Sequence, residues 1–331
     1  MTLIIRYWNP HCNMLIFSYL YYCEINKIEF KINFDPAISP NGALIYDDNQ
    51  TIFFDYSDNY LFIDLPTKYT YYFKRSLKQE DKKDNIYPLN FQVNYSYKAF
   101  VFLTKLSFKE LIKMDNRIEI IRALDYFNSV TNSSHNAMDI RGFPKGIKDN
   151  GGRVLFHARL WNPDNHQDSD EKERRILQNE FRIEACRVIK RNFKNASVGL
   201  FPDTLSAKMA SDLLLDLKMT SKKEYFKSLR YCDIGIADDG LKDSPGWKIG
   251  EYLLFGKAVI TTPLNISLDN FKEGKNYQVL STRSAYFELP EKIHYLLKEK
   301  KYLEFGNANR EWSNHYIHPQ NYIERILSVV K

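Results

Sequence analysis

The stretch Cys232–Leu264 concentrates the residue types best able to do chemistry. A strand over 233–237 runs into a polar loop over 238–246 that holds two glycines, a proline and a serine. A helix then starts near Trp247 and stops at Gly256, a natural residue to follow a helix end, and a second strand follows over 258–262. A loop at the carboxyl end of a strand that feeds a helix start favours an anion such as a phosphate. Backbone N–H groups and the helix dipole converge there. Lys248, in the first turn, adds charge beside such an anion; its plainer reading is a solvated surface lysine. Asp243 in the loop and Glu251 one turn into the helix can point at the same crevice. A carboxylate suits paired hydroxyls, because its two oxygens accept two O–H donors. The plainer readings are a loop cap for Asp243 and a pairing with a helix neighbour for Glu251.

The elements that must position these residues are regular after residue 152. Strands are expected over 153–160, 196–201, 233–237, 258–262 and 277–280. Helices are expected over 170–193, 221–231 with Ser221 as N-cap, 247–255, 285–298, 301–313 and 319–330. In the charged helix 170–193 the apolar positions are Ile176, Phe181, Ile183, Ala185, Val188 and Ile189. Strands alternating with helices imply a parallel sheet with helices on both faces, whose ligands bind at the carboxyl ends where strand order reverses. The first part is also α/β, with an order of strands that the pattern leaves open. Strands are read over 2–8, 28–34, 42–46, 51–55 and 60–64, helices over 12–26 and 107–127, and extended aromatic runs over 69–76 and within 86–103. Residues 129–152, rich in Gly, Asn and Ser, make the best linker.

The chain has 331 residues, 44% hydrophobic, 27% charged and 15% aromatic, with 13 Gly and 12 Pro. Fibrous, collagen-like and disordered classes are excluded, and the length suits two domains. The formal charge is +6, without the concentrated basic stripe of a nucleic-acid reader. Such a mild excess suits an anionic small ligand or an anionic membrane surface. Cys12, Cys23, Cys186 and Cys232 are dispersed, so reduced thiols are expected and a zinc site is not. No HExxH, GxSxG or P-loop motif occurs, and Asp238-Asp239 is adjacent rather than spaced as in metal-dependent sugar transfer. The N-terminus lacks the features of a signal peptide, and Leu15–Tyr22 is too short to span a bilayer. The reading is of a soluble cytoplasmic protein.

Over about residues 151–331 the chain resembles the donor-binding half of GT-B-fold glycosyltransferases of the group-1, family-4-like kind. Their Glu-x7-Glu signature, followed by a Gly-Lys turn and an apolar strand, is matched by Asp243-x7-Glu251 and Leu254-Phe-Gly-Lys-Ala-Val-Ile-Thr-Thr-Pro263, with Asp in place of the first Glu. Their Gly-Arg-Leu strand end is matched by Ala158-Arg159-Leu160. The resemblance implies two Rossmann-like α/β domains facing a cleft: an acceptor-side domain over 1–145, a nucleotide-sugar-binding domain over 151–315, and a final helix over 316–331 that crosses back. It implies that Glu251 holds the ribose hydroxyls and that Arg159 neutralises the donor diphosphate with Lys248. Asp243 and the 244–246 backbone, Ser244 and Gly246 included, would face the donor sugar, with Trp247, Tyr252 and His157 lining the donor site. His157 has a packed-core reading beside this one. Arg182 is a second candidate for the diphosphate, or a helix-surface ion pair.

The implied reaction is metal-independent and retaining transfer from a nucleotide-diphosphate sugar to a saccharide or lipid-linked acceptor, in bacterial surface-polysaccharide assembly at the inner membrane face. The donor is a co-substrate, so no cofactor is implied, and nucleic acid is not a partner. An epimerase or hydrolase, or a non-catalytic nucleotide-sugar-binding subunit, would carry the same donor residues. In the first domain, Tyr71-Tyr72-Phe73 with Lys74 and Arg75 reads as a sugar-stacking surface with an anion site, or as a core strand with a solvated basic end.

Overall fold

The computed structural model describes residues 1–6, 9–47, 50–64, 68–97 and 137–330, and the side chains of Pro10 and Asp243 are not among those described. The helix read over 107–127 and residues 129–136 of the linker lie outside the described residues. The chain divides into two compact units, one of Met1–Phe143, Ile266–Asp269 and Asn314–Lys331, the other of Pro144–Asn265 and Asn270–Ser313.

The first unit holds a six-stranded sheet in the order β2-β1-β3-β4-β5-β6. Its strands are β1 (Thr2–Ile5), β2 (Ile32–Phe34), β3 (Gly42–Asp47), β4 (Gln50–Asp55), β5 (Tyr71–Lys74) and β6 (Ile86–Pro88). β3 runs antiparallel to β1 and β4, and the other pairings are parallel. Helix α1 (Asn13–Ile25) follows β1. The strand read over 28–34 starts only at Ile32. Lys27 adopts a left-handed φ of 55° and the Ile28 N–H returns to the Cys23 carbonyl at 2.8 Å, closing α1. No strand forms over 60–64, because β5 side chains satisfy its backbone. The Lys74 ammonium donates to the Leu61 carbonyl, and the Tyr72 hydroxyl accepts from the Ile63 N–H.

The basic end of the Tyr71–Arg75 segment is not solvated. Lys74 is fully buried and pairs with Asp55 at 2.8 Å, an oxygen that also accepts from the Tyr72 hydroxyl at 2.7 Å. Arg75 is buried and pairs with Asp58. Tyr72 and Phe73 are core, and the two cations neutralise Asp55 at the end of β4 and Asp58 just after it, so Lys74 is not placed to receive an external anion. The pair β7 (Tyr95–Ser96) and β8 (Met138–Asp139) and the last helix complete this unit. That helix packs on α1, with the Tyr322 and Tyr56 hydroxyls 2.9 Å apart.

The second unit is a five-stranded, wholly parallel sheet: β9 (Val154–Ala158), β10 (Ala196–Leu200), β11 (Ile234–Ala237), β12 (Ala258–Thr261) and β13 (Tyr277–Val279), in the order β10-β9-β11-β12-β13. Its helices are α2 (Ser169–Asn192), α3 (Thr204–Ala210), α4 (Lys222–Arg230), α5 (Trp247–Leu254), α6 (Leu289–Leu297) and α7 (Lys301–Tyr316), with α8 (Pro319–Val329) beyond them in the first unit. Both units are thus Rossmann-like α/β layers.

Phe156, Ile234, Ile236 and Ile260 of the sheet bury against Phe181 and Ile189 of α2 and Ile293 of α6, each such side chain contributing roughly 1.5–3 kcal/mol. Gly235 points the other way, as strand alternation requires. A Cβ there would meet the Tyr252 ring at 2.5 Å, so α5 lies on the opposite face from α2 and α6. Caps act where the residues foretell them. Asp168 accepts from the Asp170 and Glu171 N–H groups, and Ser221 from Glu224 N–H. Gly256 sits at φ 62° after α5, with Lys257 N–H bonded back to the Tyr252 carbonyl. The entry to β9 is pinned by the Asp233 carboxylate, which accepts from the Asn150, Gly152 and Arg153 N–H groups. Because β10 and β11 flank β9 on opposite sides, strand order reverses at β9, the point where sheets of this topology take ligands.

Candidate functional site

The carboxyl edge of the second sheet collects charged side chains from four of its five strand ends. Arg159 follows β9, Asp203 follows β10, Asp238 and Asp239 follow β11, and Arg283 follows β13. Helix α2 adds a buried stripe facing the same edge: Glu171, Arg174, Arg175, Gln178 and Arg182. Arg182 donates to Asp238 at 2.6 Å and also to the Arg159 carbonyl. Arg174 chelates Glu171 at 2.7 and 2.8 Å and reaches Asp239 at 3.3 Å and the Gly240 carbonyl at 2.7 Å. Arg283 meets the same Asp239 oxygen at 3.0 Å. Burial opposes the ionised form of Glu171, but Arg174 and Arg175 outweigh it and hold its pKa down to about 2.

These pairs fix the 238–246 loop. Its Gly240 N–H bonds to the Ser244 carbonyl at 2.6 Å and its Ser244 N–H to the Leu241 carbonyl at 3.1 Å. Both N–H groups are therefore turned into the loop, so that of Ser244 is not offered to an anion, and Ser244 is buried. Lys242 takes φ 55° at the tip. Gly246 is required by close approach, since a Cβ would stand 2.4 Å from the Asp238 carbonyl oxygen. What remains for an anion is the start of α5, where Trp247 and Lys248 are half-buried.

Lys248 is not a solvated surface lysine. Its ammonium donates to the His157 carbonyl, the last residue but one of β9. Desolvation, and next the nearby Arg182, lower its pKa to about 8, against the pull of Asp238 and Glu251. Glu251 is 5% exposed and pairs with Lys222 of α4. The Tyr225 hydroxyl faces it, and burial with that carboxylate beside it pushes the phenol well above 10. His157 is buried, its Nε2 is 2.9 Å from the Ser197 hydroxyl, and burial followed by Lys248 lowers its pKa to about 4. Tyr252 is fully buried, and its hydroxyl donates to the Ile236 carbonyl at 3.1 Å, so it forms the floor beneath α5.

Arg159 is the exposed member of the group. Its guanidinium lies 5.1 Å from the Phe201 ring and 5.8 Å from Trp161, and Nε is 3.4 Å from Asp203. The structure thus gathers Lys248, Glu251, Tyr252 and His157 around the start of α5, and joins Arg159 to them through Arg182. Arg182 itself is a buried partner of Asp238, not a surface ion pair, so its charge is largely committed. The sequence reading misses Glu171, Arg174, Arg175, Lys222 and Arg283. Only the i, i+3, i+4 spacing of Glu171, Arg174 and Arg175 signals one of these pairings.

Counted together, Arg159, Arg174, Arg175, Arg182, Lys222, Lys248 and Arg283 face Glu171, Asp203, Asp238, Asp239 and Glu251. The edge holds a surplus of two positive charges, gathered where the sheet's topology puts a ligand. A cavity of about 190 Å³ lined by Arg153, Ser197, Glu224, Lys227 and Tyr231 includes none of the expected site residues. Among the described residues no helix is long and apolar enough to cross a membrane.

No protein-family model matches the chain and no curated protein is found to be related to it. Solved structures with a similar fold are glycosyltransferases. One from Rickettsia africae shares 11% identity at a TM-score of 0.41, over 79% of this chain and 64% of its own. The C-terminal domain of a group 1 glycosyl transferase, LpcC of Francisella tularensis, shares 11% at 0.39, over 54% of this chain and 97% of that domain. Anabaena HepE, solved with UDP, shares 13% at 0.39, over 78% of this chain and 64% of its own. The chain therefore spans just under two thirds of the Rickettsia and Anabaena proteins.

Proposed function

We propose that the chain is a glycosyltransferase that moves a sugar from a nucleotide-diphosphate donor to a saccharide or lipid-linked acceptor, in the assembly of a bacterial surface polysaccharide. The observation that carries this reading is the cationic surplus at the carboxyl edge of β9 and β11, set beside a buried carboxylate, Glu251. Two net positive charges match a diphosphate, and the carboxylate matches a vicinal diol. Arg159, exposed and planar, would pair with the diphosphate oxygens, while Lys248 and the start of α5 add charge from below. As the glycosidic bond breaks, negative charge grows on the leaving nucleotide diphosphate. Donors already fixed by Asp238, Asp239 and the strand ends stabilise it without reorganising. Asp243, at the end of the loop, would face the donor sugar. The transfer needs no metal in this scheme and retains configuration, as the sequence resemblance implies.

The test is titration calorimetry with UDP, GDP, ADP and CDP, followed by product analysis with and without added saccharide acceptor. One nucleotide should bind, Glu251→Ala should abolish that binding, and sugar should appear on the acceptor. Unchanged affinity in Glu251→Ala would refute the ribose role. Donor breakdown without any transfer would favour a hydrolase.

A further inference from the structure

Lys222 enters the scheme above only as one of the charges counted at the sheet edge, yet its placement is costly to explain by folding alone. It occupies the first position of α4, where the helix dipole disfavours a cation. Its ammonium lies 4.9 Å from the Tyr225 ring centroid and 4.8 Å from that of Phe226, and it pairs with Oε1 of Glu251 on α5. The side chain is 25% exposed and that of its partner 6%. Two rings therefore restrict a normally mobile side chain so that it meets one oxygen of a nearly dry carboxylate. The Tyr225 hydroxyl beneath is buried and lies within hydrogen-bonding reach of Glu251 and Tyr252.

We propose that Lys222 is a positioning residue for nucleoside recognition: it holds the Glu251 carboxylate in one orientation through Oε1, leaving Oε2 to accept the ribose hydroxyls of a nucleoside diphosphate. This rests on the reading of Glu251 as the ribose-binding acid. Without Lys222 the carboxylate loses the partner that fixes Oε1, and an acceptor free to rotate must be ordered anew when a ligand binds. The other groups facing Glu251 among the described residues are Tyr225 from α4 and Lys248 and Tyr252 from its own helix. The two phenols are neutral and Lys248 is anchored on the His157 carbonyl, so none replaces the direct ion pair.

The experiment uses the full chain and titration calorimetry with UDP, GDP, ADP, CDP and their 2′-deoxy forms at one neutral pH. The wild type should prefer one ribonucleotide over its 2′-deoxy form by about tenfold or more, the worth of one hydrogen bond to a charged acceptor. Lys222→Met, checked for an unchanged melting temperature, should bring that ratio close to one. Lys222→Arg should restore the ratio, and it serves as the informative variant if the methionine protein folds poorly. Full ribose discrimination in Lys222→Met, alongside loss of binding in Glu251→Ala, would overturn the role of Lys222 and leave that of Glu251 standing. If the wild type binds no nucleoside diphosphate, the ribose reading fails and this inference with it.

Discussion

Arg182→Met should destabilise the second unit by about 3 kcal/mol, the lower end of the cost of removing one partner from a buried ion pair. The magnitude follows from the geometry. Arg182 and Asp238 are 7% and 6% exposed, and their contact is 2.6 Å. Methionine leaves the Asp238 charge buried, and among the described residues no second salt bridge reaches it. Lys248 is close enough to feel that charge and offsets part of the loss, which places the expectation at the lower end. For a cooperative unit of 150–250 residues this corresponds to a melting temperature lower by roughly 6–12 °C. Arg182→Met combined with Asp238→Asn removes both charges and should recover about half or more of the stability, since a matched removal leaves no unpaired ion. Urea unfolding of the wild type, both single variants and the double variant gives the coupling energy directly. A single variant within about 0.5 kcal/mol of the wild type, or a double variant no more stable than Arg182→Met, would refute the claim that this pair anchors the 238–246 loop.

Two further expectations concern pH. Lys248 loses its proton near pH 8 in the free protein, so the affinity of whichever nucleoside diphosphate binds should fall between pH 7 and 9; Lys248→Met should bind more weakly with no slope over that range, and a level wild-type profile would contradict the role of the ammonium. His157 titrates near 4 when folded against 6.5 ordinarily, so the unfolded chain takes up the proton first as pH falls. The stability this histidine contributes is complete above pH 6.5 and is lost progressively from there to about pH 4, by on the order of 3 kcal/mol. In equilibrium unfolding, His157→Gln should therefore close its stability gap to the wild type as the pH is lowered through that window, and a constant gap would count against the buried neutral ring.

Much of the second unit was legible without coordinates, because its elements obey local rules. Alternating apolar strands and amphipathic helices, Ser221 before α4 and Gly256 after α5 specify five strands and the principal helices directly. In the first unit the local pattern is weaker. The 60–64 run has the composition of a strand, but its backbone bonds go to the side chains of Tyr72 and Lys74, an outcome that depends on where β5 lies.

The chain of residues by itself determined the loop between β11 and α5 and the presence of Lys248 and Glu251 one helical turn apart, whereas the need for glycine at 246 comes from its approach to the Asp238 carbonyl. Tertiary structure alone decided which charges stay available. Arg174, Arg175 and Arg182 recur at helical spacing, a pattern that normally faces water, and Ile176 among them is 55% exposed instead. The stripe turns inward because Asp238 and Asp239 stand at the end of β11 and need cations there, and a buried charge is tolerated only beside its opposite. Which partner meets which carboxylate is set by how α2, α4 and the strand ends pack in space, and no spacing along one segment encodes that.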